Sequence, residues 1–296
     1  MRMVGLYREA ECSPGLHRSN DARLLDQVAV ALRGHGCDIE LTTLSTVVRS
    51  RPPEAVIFSM CQGRAALELL SQWEADGARI INTPRAALNT YRDRLSPLMQ
   101  DAGIPFPATA LVTTCKGGDA GIDPGLLDRG MWLKRGDMHA SVSADVQWVD
   151  SADGLRAGLK GFAARGIPRA ALQRHYEGDE IKFYGVAGGR FFHWFYPPKD
   201  SDPWGRHGAP CLRGPVDVSA LEQLAEHAAT TAGLDVYGGD VIISSSGELT
   251  LIDLNDWPSF APCRDRAADA IARYLMGRVN VAWNSGVVSI SRKSAV

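Results

Sequence analysis

Residues 236–255, VYGGDVIISSSGELTLIDLN, constrain the fold most tightly, because two β-prone runs flank the turn SSSG and so must pair antiparallel. Alternation with period two puts Asp253 and Asn255 on one face of the second run, with Ile252 and Leu254 turned to the core, while Asp240 lies on the adjacent strand. Two carboxylates and an amide oxygen are hard donors, suited to a magnesium ion held jointly with phosphates rather than caged by protein alone. The alternative is a hairpin whose acidic residues are merely solvated. Against it stands the composition of the strand end: an Asn flanked by carboxylates, then directly the apolar, turn-forming Trp257, Pro258 and Phe260. Asp256 breaks the alternation and is expected to face solvent.

The first ninety residues alternate short apolar runs with helical periodicity, which predicts βαβ units around a parallel sheet. MVGLY (3–7), AVIFS (55–59) and RIINT (79–83) read as strands. A helix is expected near Asn20 to Arg33, capped by Asn20 or Asp21 and stopped by Gly34, and another carries Leu67, Leu70 and Trp73 before Gly77. Ligands of such sheets sit beyond the carboxyl ends of the strands, so the loops 8–20 and 59–64 are candidate substrate walls. A new lobe begins at residue 84 with two short helical segments. WLKRG (132–136) is a strand bearing Lys134 at its end, and residues 151–166 form an amphipathic helix capped by Ser151. ALQRHY, EIKFYGVAG and RFFHWFYP imply an antiparallel layer. Helices are expected at about 218–232 and from Arg264 to Leu275; the last stretch, with one short β-prone piece, carries no assignment.

Bulk properties narrow the partners. A chain of 296 residues with 45% hydrophobic content can fill the cores of a multi-lobed enzyme, and a formal charge of -2 offers no basic footprint for nucleic acid or an anionic membrane. The six cysteines (12, 37, 61, 115, 211 and 263) lack the close pairing of a zinc or thioredoxin-like motif, which favours a reducing compartment. Neither a secretory leader nor a run of about 18 to 20 apolar residues is evident, so a cytoplasmic protein with small-molecule partners is expected.

A second constellation lies in ALQRHYEGDEIKFYGV, residues 171–186. Its first half resembles the strand and hinge that connect two lobes, where backbone groups at Gln173, Arg174 and His175 would pair with an adenine edge. Glu180 follows the turn and would accept from ribose hydroxyls; Lys182, on the same strand face, would reach a phosphate or the transferred phosphoryl group. Lys134 ends its own strand with an ammonium available to phosphate. Taken singly, either lysine is more often a solvated surface charge.

The chain order of these features resembles the ATP-grasp superfamily, whose members include D-alanine ligases, glutathione synthetases, the glutamate ligases that extend a ribosomal protein and, more distantly, inositol trisphosphate kinases. The resemblance covers nearly the whole chain as architecture and is sharpest over 171–262. It implies an α/β fold in three parts: an N-terminal βαβ domain (1–90), a central ATP-grasp lobe (91–172) and a C-terminal lobe with the metal site (173–296), the two lobes clasping ATP between antiparallel sheets. By that similarity Asp240, Asp253 and Asn255 correspond to ligands of magnesium or manganese, Lys134 to the central phosphate lysine, Gln173 and His175 to the adenine hinge, and Glu180 to the ribose carboxylate. A homodimer is admitted by analogy with relatives.

Three departures stand out. Asp93 and Arg94 replace a common Asp-Lys, leaving Arg94 to hold a phosphate. The loop RGDMHASVSADV keeps only Gly136 of a usually glycine-rich phosphate cover, so His139 is expected to replace backbone contacts there. Asp253 stands where ligases often have Glu, and IDLN is closer to the inositol kinases. As a ligase, the chain would activate a small carboxylate as an acyl phosphate and join it to an amine, with Lys182 steadying the phosphoryl group and Arg206, Arg213 or Arg264 holding an acidic substrate. Arg264 has an ordinary alternative as a helix-start residue making local links. Two further readings are a small-molecule kinase, disfavoured by the scarcity of cations for an inositol polyphosphate, and a non-catalytic nucleotide-binding protein, disfavoured by retention of all three metal ligands. A serine hydrolase lacks its G-x-S-x-G elbow.

Overall fold

The computed structural model describes residues 1–13, 16–47, 55–114, 127, 130–197 and 214–290, with backbone alone at 16–18 and 279–290. Three four-stranded sheets organise them. The first is parallel, in the order β2-β1-β3-β4, from β1 (Arg2–Tyr7), β2 (Asp38–Thr43), β3 (Val56–Ser59) and β4 (Arg79–Ile81). Burial of Met3 to Leu6 and of every residue of β3 is the signature of strands covered on both faces. One cover is α1 (Leu16–Gly34) with α8 (Arg264–Ile290); the other includes α3 (Arg64–Ala75), with the short α2 (Leu44–Val47) and α4 (Pro84–Asn89) contributing to that core. Among the described residues no helix is long and apolar enough to cross a membrane.

The second sheet is antiparallel, β5-β8-β6-β7, built from β5 (Thr109–Thr113), β6 (Met131–Arg135), β7 (Val146–Val149) and β8 (Arg169–Arg174). Its inner face packs on α6 (Ala152–Ala164), which Ser151 caps by accepting from the Gly154 amide at 3.2 Å. The third, also antiparallel, is β10-β9-β11-β12: β9 (Asp179–Val186), β10 (Phe191–Phe195), β11 (Val236–Ile243) and β12 (Leu249–Asp256). Helix α7 (Val218–Ala232) packs on it, joined by α5 (Arg92–Asp101) through Leu95 and Met99. The segment 84–104, although it opens the second lobe in sequence, is thus fastened to the core of the third sheet, and it carries the start of α5 to the edge of β12.

Several expectations are revised. Helix α1 begins at Leu16, ahead of Asn20, so Asn20 and Asp21 lie within it rather than capping it; the Asp21 carboxylate instead accepts from Arg8 and Ser13. The three strand-like runs after 170 divide between two sheets, β8 closing the second through Arg174 and β9 opening the third. Helix α8 continues past Leu275 to Ile290, over the piece read as β-prone. Between Asp240 and Val241 the β11–β12 register slips, so Asp240 pairs with Asp253 but Val241 with Leu251. Ile252 is the extra residue of that bulge, and Leu251, not Ile252, accompanies Leu254 into the core.

Candidate active site

Strand register assembles the chemistry. Lys182, Asp240 and Asp253 stand directly opposite one another on β9, β11 and β12, with Tyr184, Gly238 and Asn255 forming the next row on the same face. The Lys182 ammonium donates to Asp240 Oδ1 at 2.8 Å and contacts Glu180 Oε1 at 2.9 Å. Burial works against its charge, but the two carboxylates outweigh that and raise its pKa, so Lys182 is a fixed cation. Burial pushes the Asp240 carboxyl up to about 6, against the pull of Lys182. Asp253 behaves oppositely. Burial raises it too, yet Arg92, whose Nη2 donates to Asp253 Oδ2 at 2.5 Å, acts with the fields of His139 and Lys134 to hold it below the usual carboxylate range.

The second sheet supplies the opposing wall. Lys134 is buried and donates to Gln173 Oε1 at 2.6 Å. Burial and the nearby Arg92 charge lower its pKa to about 8 in spite of Asp253, Asp240 and Glu180. Arg92 joins the two walls, its Nη1 reaching the Arg135 carbonyl at the end of β6 at 3.4 Å and its Nη2 the Asp253 carboxylate of β12. Beside Gln173 on that wall, Trp132 Nε1 donates to His175 Nδ1 at 3.1 Å, and Trp148 meets both rings edge-on with centroids 5.2 Å away. Arg174 points away, its guanidinium over the Tyr176 ring and its amide bonded to the Ala108 carbonyl.

The loop 136–145 is not glycine-rich, and a buried carboxylate shapes it instead. Asp145 accepts from the Ser141 amide (2.7 Å), the Ser141 hydroxyl (3.1 Å), the Val142 amide (3.1 Å) and Arg165. Burial raises this carboxyl, but the two amides and Arg165 more than compensate and hold it below its usual range. Asp145→Asn is expected to lower unfolding free energy at pH 7 by about 2 to 3 kcal/mol. The depressed carboxyl contributes its stability above the unfolded value near pH 4 and loses it as pH falls through the folded value, so wild type and variant should converge in acid. Urea midpoints measured against pH check this; a gap that is constant with pH would refute it. His139 lies in this loop, its Nε2 2.9 Å from Thr90 Oγ1, and burial lowers its pKa to about 4, leaving it neutral near pH 7.

Other expected site residues fare differently. Arg94 is exposed, and the carboxylate that feels it is its neighbour Asp93; the cation at Asp253 is Arg92, two residues earlier. Arg264 is engaged locally, donating to the Ser259 carbonyl at 3.3 Å and to Asn20 Oδ1 at 3.1 Å, as a helix-start residue would. Arg206 and Arg213 lie outside the described residues. Asp256, expected in solvent, is 1% exposed: by strand alternation it shares the inner face with Leu254, and Asn82 Nδ2 donates to its Oδ1. Sequence reasoning missed Arg92, although its signal was present. Leu95 and Met99 mark the buried stripe of α5, and stepping back three from Leu95 puts Arg92 on the same inward side while Arg94 turns out.

The donor set fits a magnesium ion shared with phosphates. Two partly buried carboxylates on neighbouring strands and the Asn255 amide line one face, and among the described residues no group of three or more His, Cys, Asp or Glu is arranged as an all-protein metal cage.

No protein-family model and no curated protein matches the sequence. Solved structures do. The RimK domain protein ATP-grasp from Sphaerobacter thermophilus shares 18% identity at a TM-score of 0.66, over 93% of this chain and 99% of its own. The ATP complex of D-alanine–D-alanine ligase from Bacillus anthracis gives 12% identity and a TM-score of 0.69, over 92% and 96%. D-cycloserine synthetase DcsG gives 16% and 0.66, over 92% and 99%.

Proposed function

Since the chain has the ATP-grasp fold of those structures, we propose that it is an ATP- and magnesium-dependent ligase that activates a small carboxylate as an acyl phosphate and joins it to an amine. The observation that carries this reading is the cross-strand pair Asp240 and Asp253, set among Lys182, Arg92 and Lys134 where Arg92 bridges the second and third sheets. A carboxylate oxygen of the first substrate attacks the γ-phosphorus of ATP and ADP departs; the amine nitrogen then attacks the acyl carbon, phosphate departs, and the nitrogen loses a proton. Asp240, Asp253 and Asn255 would hold magnesium, which would compensate charge on the phosphate oxygens.

The protein's own groups divide the remaining work. Lys134, fixed by Gln173, and Lys182, fixed by Asp240 and Glu180, present two ammonium groups to the phosphates from opposite walls. Because Lys134 is already buried and partnered, little reorganisation accompanies its use. The Trp132, Trp148 and His175 cluster beside Gln173, its rings set edge-on to one another, gives the central sheet an aromatic patch next to the adenine hinge. Lys134→Met is expected to slow ATP turnover by about 10² to 10³. Steady-state ADP release measures this, and a variant within about threefold of wild type would remove Lys134 from the mechanism.

The reaction class is tested by ADP release with and without magnesium and with and without amine acceptors, and by hydroxamate formation in a separate reaction in which hydroxylamine replaces the amine. A ligase yields a hydroxamate from the trapped acyl phosphate and needs an amine for sustained turnover. Phosphorylated product without hydroxamate would replace the ligase by a kinase, and no magnesium-dependent turnover with any substrate panel would leave a nucleotide-binding protein.

A further inference from the structure

The end of β12 is gripped from the N-terminal domain by three side chains, each from a loop at the carboxyl end of a parallel strand. Arg8, just after β1, donates from Nη2 to the carbonyls of Asp256 (3.0 Å) and Trp257 (2.8 Å). Gln62, after β3, donates from Nε2 to the Asp256 carbonyl at 3.3 Å. Asn82, after β4, donates to the Asp256 carboxylate and the Val236 carbonyl, while its Oδ1 accepts from the amides of Asp235 and Val236. Carboxyl ends of parallel strands are the usual place for ligands; here they also hold the strand that bears Asp253 and Asn255.

Arg8 is the most constrained of the three. Its Nε donates to the Met60 carbonyl at 3.1 Å and its Nη1 to Asp21 Oδ2 at 2.7 Å, leaving the other guanidinium nitrogen for β12. The side chains of Arg8 and Asp21 are only 10% and 6% exposed. The planar fork serves four acceptors in three segments at once, which an ammonium cannot reproduce. The backbone it holds needs holding: Trp257 and, three residues on, Phe260 have φ of 42° and 48°, a left-handed conformation that persists for bulky residues only when the surroundings over-determine it. Asn255 precedes Asp256 directly, so any swing of this turn moves the amide that shares a face with Asp253.

We propose that Arg8 is a positioning residue for the metal site: by clamping the carbonyls of Asp256 and Trp257 it fixes the end of β12, and with it Asp253 and Asn255, in the orientation that lets both serve one divalent cation. The inference rests on the metal reading of Asp240, Asp253 and Asn255 given under the proposed function. Arg8 also lines a cavity of about 470 Å³ with Tyr7, Glu9, Asp21 and Thr43, so the clamp borders space open to a ligand at the parallel sheet.

The test is direct binding of Mn²⁺ in the presence of ATP, read by electron paramagnetic resonance, for wild type, Arg8→Lys and Gln62→Met, alongside ATP turnover and melting temperature. Arg8→Lys keeps the charge beside Asp21 but loses the fork, and it should weaken Mn²⁺·ATP binding about tenfold; metal-free ATP affinity should hold within about twofold. Gln62→Met removes the weaker bond, should shift metal affinity about threefold in the same direction, and decides the matter if Arg8→Lys does not fold. Wild-type metal affinity in the folded variants overturns the clamp. Mn²⁺·ATP binding by wild type without turnover overturns the ligase reading alone, and wild type that binds no Mn²⁺·ATP overturns both.

Discussion

Asp253→Ala is expected to lower magnesium-dependent ADP release by about 10³-fold or more. Asp253 is the carboxylate of the cluster held ionised across the ordinary pH range, since its carboxyl lies below the usual range with Arg92 as the largest opposing charge to its burial. Asp240, raised to about 6 and tied to Lys182, is the more weakly ionised of the pair. A divalent cation entering the site therefore meets its fixed negative charge at Asp253. Asp253→Asn, which keeps the shape and removes the charge, should fall nearly as far and separates lost coordination from lost packing. Steady-state ADP release over a magnesium titration is the measurement. Either variant turning over within tenfold of wild type at saturating magnesium would end the assignment of Asp253 as a metal ligand.

Much of this site was legible because it is written in strand periodicity. The sequence DLN on a strand puts Asp253 and Asn255 on one face whatever surrounds it, and the turn SSSG makes the strand of Asp240 its neighbour; unbroken register from that turn would pair Asp240 with Ile252, and the bulge brings it opposite Asp253. Lys134 and Gln173 were singled out separately, the first as a strand-end cation and the second for its backbone, and their side-chain contact came to light only with the pairing of β6 and β8. Legibility failed where the answer depended on contacts between distant segments. Asp256 was misplaced although alternation puts it on the inward face with Leu254, because the partner that makes a carboxylate tolerable there, Asn82, lies 174 residues earlier in the chain. The bulge at Ile252 was invisible because alternation alone carries no record of an inserted residue. Arg264 was over-read: its partners Ser259 and Asn20 answer to helix geometry and a neighbouring helix, and neither faces the carboxylate row.

Arg92 supplies the clearest energetic prediction, since it is a buried cation, 5% exposed, on a carboxylate whose side chain is only 14% exposed. Removing one partner of such a pair leaves the other charge uncompensated, so Arg92→Met should destabilise the metal-free protein by about 3 to 5 kcal/mol. Asp253→Asn should be similarly costly for the converse reason. The double variant removes both charges and leaves neither stranded, so its cost should fall well below the sum, with a coupling of about 2 kcal/mol or more. Magnesium with ATP adds a second test. In Arg92→Met the bound cation is the principal charge left to compensate Asp253, so ligand should raise the melting temperature of this variant more than that of wild type. Urea unfolding of the four proteins measures the coupling, and thermal melts of wild type and Arg92→Met with and without magnesium and ATP measure the ligand effect. Strictly additive losses, or equal stabilisation of wild type and Arg92→Met by magnesium and ATP, would show that the Arg92–Asp253 contact does not govern the charge of the site.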